Sequence, residues 1–276
     1  MEKIKLIIDS SSNESSEQNV EVVPLTLTIA GKDFVDDAQL DLDQLLTSMA
    51  QNTEAGKTSC PSINDWLEAL AGSKWAILIT ITSGLSGSFS SAFQAKEMYE
   101  KEHPESHVIV VDSRSAGPEL SVVLEEIKRL LNNKTRFVDL EQKISEYRTH
   151  THLLFILQSL HNLSLNGRVS PAVAKVAHML KIDLVGTASD EGKLEPLAKV
   201  RGMKRALKEV LKRMSDMKYQ GGRVIIDHCK NEKDARTLKE KIMASYPQAQ
   251  IAIRPMHGLC SFYAEEGGLM IGFEGK

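Results

Sequence analysis

The chain has 276 residues, of which 42 % are hydrophobic and 26 % charged, and its formal net charge is −3. This length and composition are typical of a folded protein with one large domain or two modest ones. The slightly acidic balance gives no electrostatic basis for nucleic-acid binding, and no apolar run approaches the roughly 20 residues that span a bilayer.

The first residues and the cysteines indicate a cytoplasmic protein. Residues 1–6 lead directly into an apolar strand, so we expect no signal peptide. Cys60, Cys229 and Cys260 are far apart and odd in number, a pattern that fits neither a disulfide framework nor a zinc site. No spacing of His, Asp or Glu resembles a metal site. We therefore expect neither a metal nor a cofactor.

Strands and helices alternate through the first part of the chain. Hydrophobic runs predict strands over residues 4–9, 20–29, 75–79, 107–112 and 153–157, with a turn at 31–33 before a short segment at 34–35. Apolar residues at helical spacing predict helices after caps at Asp41 and Ser62, from about 88 to 99, and over 118–131 and 140–147. Strands that are apolar throughout and alternate with helices are typical of a largely parallel sheet covered on both faces.

The pattern changes after about residue 160. Ser170 and Pro171 predict the start of a helix that runs to about 179, and residues 182–187 and 194–200 flank a hairpin turn at 189–193. Helices over 203–217 and 232–245 and strands over 223–227, 251–254 and 269–273 follow. We predict an α/β protein of two domains. Residues 1–160 would form an α/β sandwich with a largely parallel sheet, and residues 161–276 an α+β domain with a mixed or antiparallel sheet.

Two hydroxyl-rich loops precede helices in the first domain. Residues 83–88 read Ser-Gly-Leu-Ser-Gly-Ser, and residues 58–62 read Thr-Ser-Cys-Pro-Ser. Hydroxyl donors, free backbone N–H groups and the positive end of a helix dipole all favour a bound anion. Loops at the carboxyl ends of parallel strands meet in one crevice. We expect Thr58, Ser59, Ser86 and Ser88 together to hold a carboxylate or a phosphate.

Other interpretations of these hydroxyls remain open. Ser62 is typical of a helix cap, and Ser86 is a cap, an anion ligand or a nucleophile. The sequence from Gly84 to Ser88 does not match the Gly-x-Ser-x-Gly elbow, and the glycine-rich phosphate and dinucleotide patterns are missing. A hydroxyl nucleophile needs a base nearby, and His257, directly after a strand, is the histidine that best suits that role. A surface or core histidine is the ordinary alternative.

Cations are concentrated at one helix start. Lys199, Arg201, Lys204 and Arg205 surround the beginning of the predicted helix at 203, and Arg168 ends an earlier loop. Cations in a first helical turn oppose the helix dipole. The segment is therefore either a solvated basic face or a docking surface for an acidic partner or an anionic ligand.

Together these segments resemble the DegV family of bacterial lipid-binding proteins. The resemblance is carried, in family order, by Asp-Ser at 9–10, the hydroxyl loops at 58–62 and 83–88, Asp-Ser at 112–113, Gly-Arg-x-Ser at 167–170, Lys-x-Arg-Gly at 199–202 and His-Gly at 257–258. These motifs cover almost the whole chain. Each is weak alone, but the ordered set is specific.

The resemblance implies a carrier protein that buries one long-chain fatty acid near the junction of its two domains and has no catalysis of its own. The carboxylate would be held by Thr58, Ser59, Ser86 and Gly87, with His257 nearby. Some family members are the fatty-acid-binding subunit of a fatty acid kinase and present the carboxylate to a separate ATP-binding subunit, which makes an acyl phosphate.

In that role Arg168 and Arg201 would face the kinase. The protein would contact a membrane only transiently and would bind no nucleic acid. Two alternatives remain. One is a serine hydrolase or acyltransferase that uses Ser86 and His257, and the other is a binding module for another small anionic metabolite.

Overall fold

The computed structural model describes residues 4–17, 19–52, 54–169, 173 and 182–275. Its strands are β1 (Ile4–Asp9), β2 (Val20–Val23), β3 (Thr26–Ile29), β4 (Lys32–Val35), β5 (Lys57–Ser59), β6 (Trp75–Thr80), β7 (His107–Asp112), β8 (Thr151–Leu157), β9 (Asp183–Ala188), β10 (Leu194–Val200), β11 (Arg223–His228), β12 (Gln250–Pro255) and β13 (Leu269–Glu274). Its helices are α1 (Leu42–Gln51), α2 (Ile63–Leu70), α3 (Ser88–Glu102), α4 (Pro118–Asn132), α5 (Phe137–Arg148), α6 (His161–Leu165), α7 (Met203–Asp216), α8 (Glu232–Ser245) and α9 (Gly258–Ala264), with a 3₁₀ turn at Ser10–Ser12. Within these described ranges, every helix is too short or too polar to traverse a lipid bilayer.

The first sheet is parallel, as the sequence predicts. Its four strands lie in the order β2-β1-β6-β7. On one face Leu120 and Leu124 of α4 pack against the sheet, and on the other face Trp66 of α2 and Ala95 of α3 do so. The chain continues from β1 to β2 on one side, while β6 lies on the other side. The carboxyl ends of β1 and β6 therefore form the switch point at which ligands bind in such sheets.

The second sheet is mixed, which confirms the predicted fold class. Its six strands lie in the order β10-β9-β8-β13-β11-β12, and only β11 and β12 run parallel. Helices α7 and α8 cover one face, where Val210 and Leu238 pack against Ile226. The first turn of α4 lies on β13 at Gly272, where a Cβ would be 2.5 Å from the backbone nitrogen of Glu119. Helix α4 therefore lies between the two large sheets.

One predicted strand is divided. The prediction of one strand over residues 20–29 is wrong, because this segment forms two strands. Strand β2 belongs to the parallel sheet, and β3 belongs to a small antiparallel sheet of order β4-β3-β5. The break falls at Pro24, which has no N–H to donate to a ladder. The next N–H, that of Leu25, donates to Ser10 Oγ at 3.0 Å. The turn predicted at 31–33 lies at Ala30 and Gly31, whose φ values are 49° and 77°.

Strand β8 is also reassigned. We predicted it as the last strand of the first sheet, but it pairs with β9 and β13 in the second. A strand that is apolar on both faces fits either sheet, so its pattern does not identify its neighbours. The domain boundary at residue 160 stays a prediction. The helix predicted to begin at Ser170 and Pro171 lies outside the described residues, of which only Val173 falls in that segment.

Candidate functional site

A cleft of about 260 Å³ lies between the hydroxyl loops and the inner face of the second sheet. Its polar lining consists of Thr58, Ser59, Cys60, Ser86, Gly87, Arg168, Cys260 and Tyr263. Its apolar lining consists of Leu25, Ile81, Leu85, Ala116, Phe155, Leu157, Leu163, Leu194, Leu259, Ala264 and Met270. Among the described residues, no aspartate, glutamate or histidine lines the cleft, and Arg168 is its one charged side chain.

The first hydroxyl loop reaches the cleft through a short edge strand. Strand β5 pairs with β3, with Thr58 opposite Leu27 and Ser59 opposite Thr26. The Thr58 hydroxyl lies 2.8 Å from the hydroxyl of Tyr263 on α9. Ser59 is exposed. This loop therefore offers one hydroxyl held in place inside the cleft and one that faces solvent.

Ser62 at the end of this loop is a helix cap, as predicted. Its side chain accepts the N–H of Asp65, and Asp65 accepts the N–H of Ser62 at 2.7 Å. This reciprocal pair fixes the start of α2. Ser62 is not among the residues that line the cleft.

The second hydroxyl loop follows β6 and meets the first. Ser86 Oγ accepts the N–H of Ser88 at 3.2 Å, and Gly87 occupies the cap position of α3 without a side-chain cap. A Cβ on Gly87 would lie 3.2 Å from Cys60 Sγ. A glycine at this position thus leaves room for the two loops to approach. The structure brings Thr58, Ser59, Ser86 and Gly87 to one cleft, and their binding of a ligand stays a prediction.

A buried carboxylate at the end of β1 holds the second loop. Asp9 accepts the N–H of Ile81 at 2.8 Å and the hydroxyl of Ser88 at 2.6 Å, and its other oxygen accepts the hydroxyl and N–H of Ser11. Ser88 therefore lies beneath the loop rather than in the cleft. Burial raises the pKa of Asp9, and these hydrogen bonds oppose the shift.

Helix α9 brings Tyr263, Leu259 and Cys260 into the cleft. The Asp36 carboxylate accepts the N–H groups of Gly258 at 2.6 Å and of Leu259 at 3.0 Å. These are the orphan donors of a first helical turn, where a negative charge is favourable. Burial raises the pKa of Asp36, and the hydrogen bonds from the N–H groups of Leu259 and Gly258 oppose that shift.

His257 itself is not a lining residue of the cleft. It occupies the cap position of α9, and its backbone N–H donates to Asn13 Oδ1 at 2.9 Å. His257 thus does not share the cleft lining with Thr58, Ser59 and Ser86. Its role toward a ligand stays a prediction.

An ion-pair network lies behind the His257 turn. Arg254 donates to both oxygens of Asp227 at 2.9 and 3.0 Å and also pairs with Glu14. Asn13 donates to Asp227 at 2.7 Å. Asp227 is fully buried, which raises the pKa of its carboxyl against the lowering effect of Arg254. Because Asn13 and Glu14 follow β1 and the other two residues lie in the second sheet, the network connects the two halves of the molecule.

The β9–β10 hairpin packs against the loop after β6. At Gly192, with φ 72°, a Cβ would lie 1.9 Å from Thr82 Oγ1, and at Gly84 a Cβ would lie 2.6 Å from the Glu191 carbonyl oxygen. Arg114 donates to the Asp190 carbonyl at 2.9 Å. These contacts set the position of β10, whose first residue lines the cleft.

The predicted partner-facing arginines lie in different environments. Arg168 is half-buried and lines the cleft, whereas Arg201 is exposed. Around Arg201, the side chains of Lys199, Lys204 and Arg205 are also exposed, and we call these four residues the basic patch. The first turn of α7 holds no acidic residue. Orientation toward a kinase stays a prediction for both arginines.

Several lining residues escape sequence analysis. Tyr263 lies on α9, whose seven residues are too few for a clear helical period, and Phe155 and Met270 read only as strand residues. No pattern in the sequence could have marked them. In the described part of the chain, no three His, Cys, Asp or Glu side chains converge as metal ligands.

Comparison with known proteins gives concordant results. A family model described as "Uncharacterised protein, DegV family" matches residues 3–276. A DegV domain-containing protein of Streptococcus pneumoniae is 43 % identical over 252 residues, which are 91 % of this chain and 90 % of that protein.

Two solved structures are similar over nearly their whole length. One is a DegV family protein from Eubacterium eligens loaded with heptadecanoic acid, at 36 % identity and a TM-score of 0.96, covering 99 % of this chain and 100 % of that one. The other is the Streptococcus pneumoniae fatty acid kinase (Fak) B3 protein loaded with linoleic acid, at 40 % identity, the same TM-score and the same coverage.

Proposed function

Because the chain belongs to the DegV family, we propose that it binds one long-chain fatty acid in the cleft. The observation that carries the proposal is the division of the described lining into hydroxyls at one end and apolar side chains over most of the rest, with Arg168 as its one charged side chain and no acidic residue. Apolar walls with a few convergent polar groups are typical of small-molecule sites. Similar proteins were crystallised with heptadecanoic and linoleic acid.

The fatty acid carboxylate lies at the hydroxyl end in this proposal. Ser59 and Gly87 are exposed there, while Thr58 and Ser86 are half-buried. Hydroxyl donors bind a carboxylate without the strong bidentate pairing of an arginine, so the group remains exchangeable. Gly87 adds its own backbone N–H at the start of the 15-residue helix α3. A small polar anion would make no use of the apolar walls, which favours a fatty acid over a phosphorylated metabolite.

We infer that the protein carries its ligand without catalysis. A serine nucleophile needs a base within hydrogen-bond reach. Ser86 Oγ accepts the N–H of Ser88 instead, and neither a histidine nor an acid belongs to the described cleft lining. An esterase assay with Ser86→Ala as its control tests this inference. We expect no turnover above background, and turnover that depends on Ser86 would favour a hydrolase.

The partner in this proposal is a kinase subunit that phosphorylates the bound carboxylate. The similarity to the Fak B3 protein supports it. The basic patch supports it as well, because its cations oppose the dipole of α7. Such a patch suits an acidic surface on the partner. The open hydroxyl end exposes the carboxylate for phosphoryl transfer.

Fatty acid titrations of Thr58→Val and Ser86→Ala test the site. A hydrogen bond to a charged group contributes about 1.5–3 kcal/mol, so each variant should raise the Kd by about 10- to 150-fold. Ser106→Ala is the matched control, because the Ser106 hydroxyl donates to the Ser73 carbonyl oxygen at 3.1 Å and neither residue lines the cleft. Unchanged affinity in both site variants would contradict the proposed position of the carboxylate.

Charge reversal in the basic patch tests the partner. Arg201→Glu should leave fatty acid affinity unchanged and slow acyl phosphate formation with the kinase subunit that serves the Fak B3 protein of Streptococcus pneumoniae. Lys241→Glu on the exposed side of α8 makes a comparable charge change elsewhere. Equal rates for the two variants would remove the basic patch from the interface.

A further inference from the structure

A second apolar space lies behind the far end of the cleft. This crevice is lined by Phe155, Leu157, Leu160, Leu163, Val169, Val173, Leu184, Leu194 and Pro196. Every lining residue that the structure describes is apolar, and the crevice is too narrow to admit a water molecule. Such a space gains nothing from hydration and can receive only apolar groups.

Four residues line both the cleft and the crevice and so form a wall between them. They are Phe155, Leu157, Leu163 and Leu194. Phe155 and Leu157 belong to the central strand β8, Leu163 to the short helix α6, and Leu194 to the first position of the edge strand β10. The wall is therefore assembled from three separate elements.

Phe155 is the largest side chain of this wall, and its position depends on a glycine. Phe155 lies directly opposite Gly186 in the β8–β9 pair. A Cβ on Gly186 would lie 2.3 Å from the phenyl ring. The ring therefore lies across the neighbouring strand, in the space that any other residue at position 186 would fill. A small change at Phe155 opens the wall without moving the strands.

We propose that this wall sets the longest acyl chain that fits the cleft and that Phe155 is its specificity-determining residue. The inference rests on the proposed fatty acid binding. With the carboxylate at the hydroxyl end, each further buried methylene should lower the Kd by about fourfold. This gain stops where the chain end reaches the wall, because a longer chain must displace wall side chains or withdraw its carboxylate.

A series of saturated fatty acids of increasing length tests the wall. For the unaltered protein, the affinity should rise with length and then stop rising at one length. In Phe155→Leu and in Leu194→Ala, that length should increase by about one to two methylenes, with about fourfold tighter binding for each one newly buried. Phe273→Leu is the matched control, because Phe273 is equally buried in the same sheet but packs in the core on its opposite face.

The outcomes separate the two proposals. If the unaltered protein binds no fatty acid of any length, the proposed function fails. If it binds them but both wall variants keep the original limit, or Phe273→Leu shifts it equally, the wall proposal fails alone. Leu194→Ala lies at a partly exposed strand end, so it keeps the test valid if Phe155→Leu does not fold.

Discussion

Two fully buried aspartates beside the same turn are held in opposite ways. Asp9, which begins the turn of Ser10–Ser12, accepts hydrogen bonds from two hydroxyls and two backbone N–H groups, and no cation of the described residues pairs with it. Asp227, reached from that turn by Asn13, is paired with Arg254. Asp9 holds the second hydroxyl loop, at residues 83–88, and Asp227 connects the two large sheets. Neutral donors therefore stabilise the site, whereas the ion pair stabilises the contact between the halves.

The largest effect should come from breaking the ion pair. Arg254→Ala leaves Asp227 and Glu14 without their cation, and removal of one partner of a buried pair costs about 3–5 kcal/mol. Urea unfolding measures the free energy of unfolding of this variant. Arg236→Ala, which removes an exposed pair with Glu232, should cost about 1 kcal/mol or less. Equal losses in the two variants would contradict a special role for the Arg254 network.

Asp9→Asn should lose less free energy of unfolding than Arg254→Ala, but it should lose more fatty acid affinity. In Asp9→Asn, the amide can take two orientations, and each places its NH₂ group against a backbone N–H. This N–H is that of Ile81 in one orientation and that of Ser11 in the other. An unsatisfied buried donor costs about 1–3 kcal/mol. Because the loop with Ser86 depends on Asp9, fatty acid affinity should also fall.

Paired titrations check this division. Arg254→Ala, studied at a temperature where it remains folded, should retain more fatty acid affinity than Asp9→Asn. The opposite order would show that the ion pair, rather than the hydroxyl network, positions the ligand loop.

The sequence predicted much of this arrangement and missed the part that depends on tertiary contacts. The strand end at Asp9 follows from an apolar run, and the run over 75–79 predicts the next strand end one residue before Thr80 and the loop at 83–88 after it. The break at Pro24 follows from its missing N–H, although the hydrophobic pattern alone concealed it. By contrast, Tyr263 and Phe155 reach the cleft through α9 and through the pairing of β8 with β9, and neither contact leaves a periodic pattern.

The smallest effect concerns a third buried carboxyl, whose hydrogen-bond partners among the described residues are two hydroxyls. Glu119 accepts the hydroxyls of Ser115 and Thr151, and burial raises the pKa of its carboxyl. An acid with a raised pKa stabilises the folded state at low pH and loses that contribution as the pH rises through its folded pKa. Hydroxyls can reverse to suit an amide, so Glu119→Gln should unfold like the unaltered protein at about pH 4.

At about pH 8, Glu119→Gln should have a larger free energy of unfolding than the unaltered protein, because the variant has no charge to bury. Urea unfolding at both pH values checks the sign of the difference. A large loss at low pH would mean that the amide cannot replace the neutral acid between Ser115 and Thr151, and a loss at about pH 8 would mean that Glu119, like Asp9, needs its carboxylate for structure.

We expect the cleft to hold the carboxylate of a fatty acid between its two hydroxyl loops. The most direct test is mass spectrometry of the purified protein under native conditions, after removal of bound lipid and reloading with a saturated long-chain fatty acid. We expect one fatty acid per chain, and a marked loss of this complex when Thr58→Val and Ser86→Ala are combined. A protein that takes up no fatty acid, or a double variant that retains it fully, would show that the hydroxyls of the cleft do not hold a fatty acid.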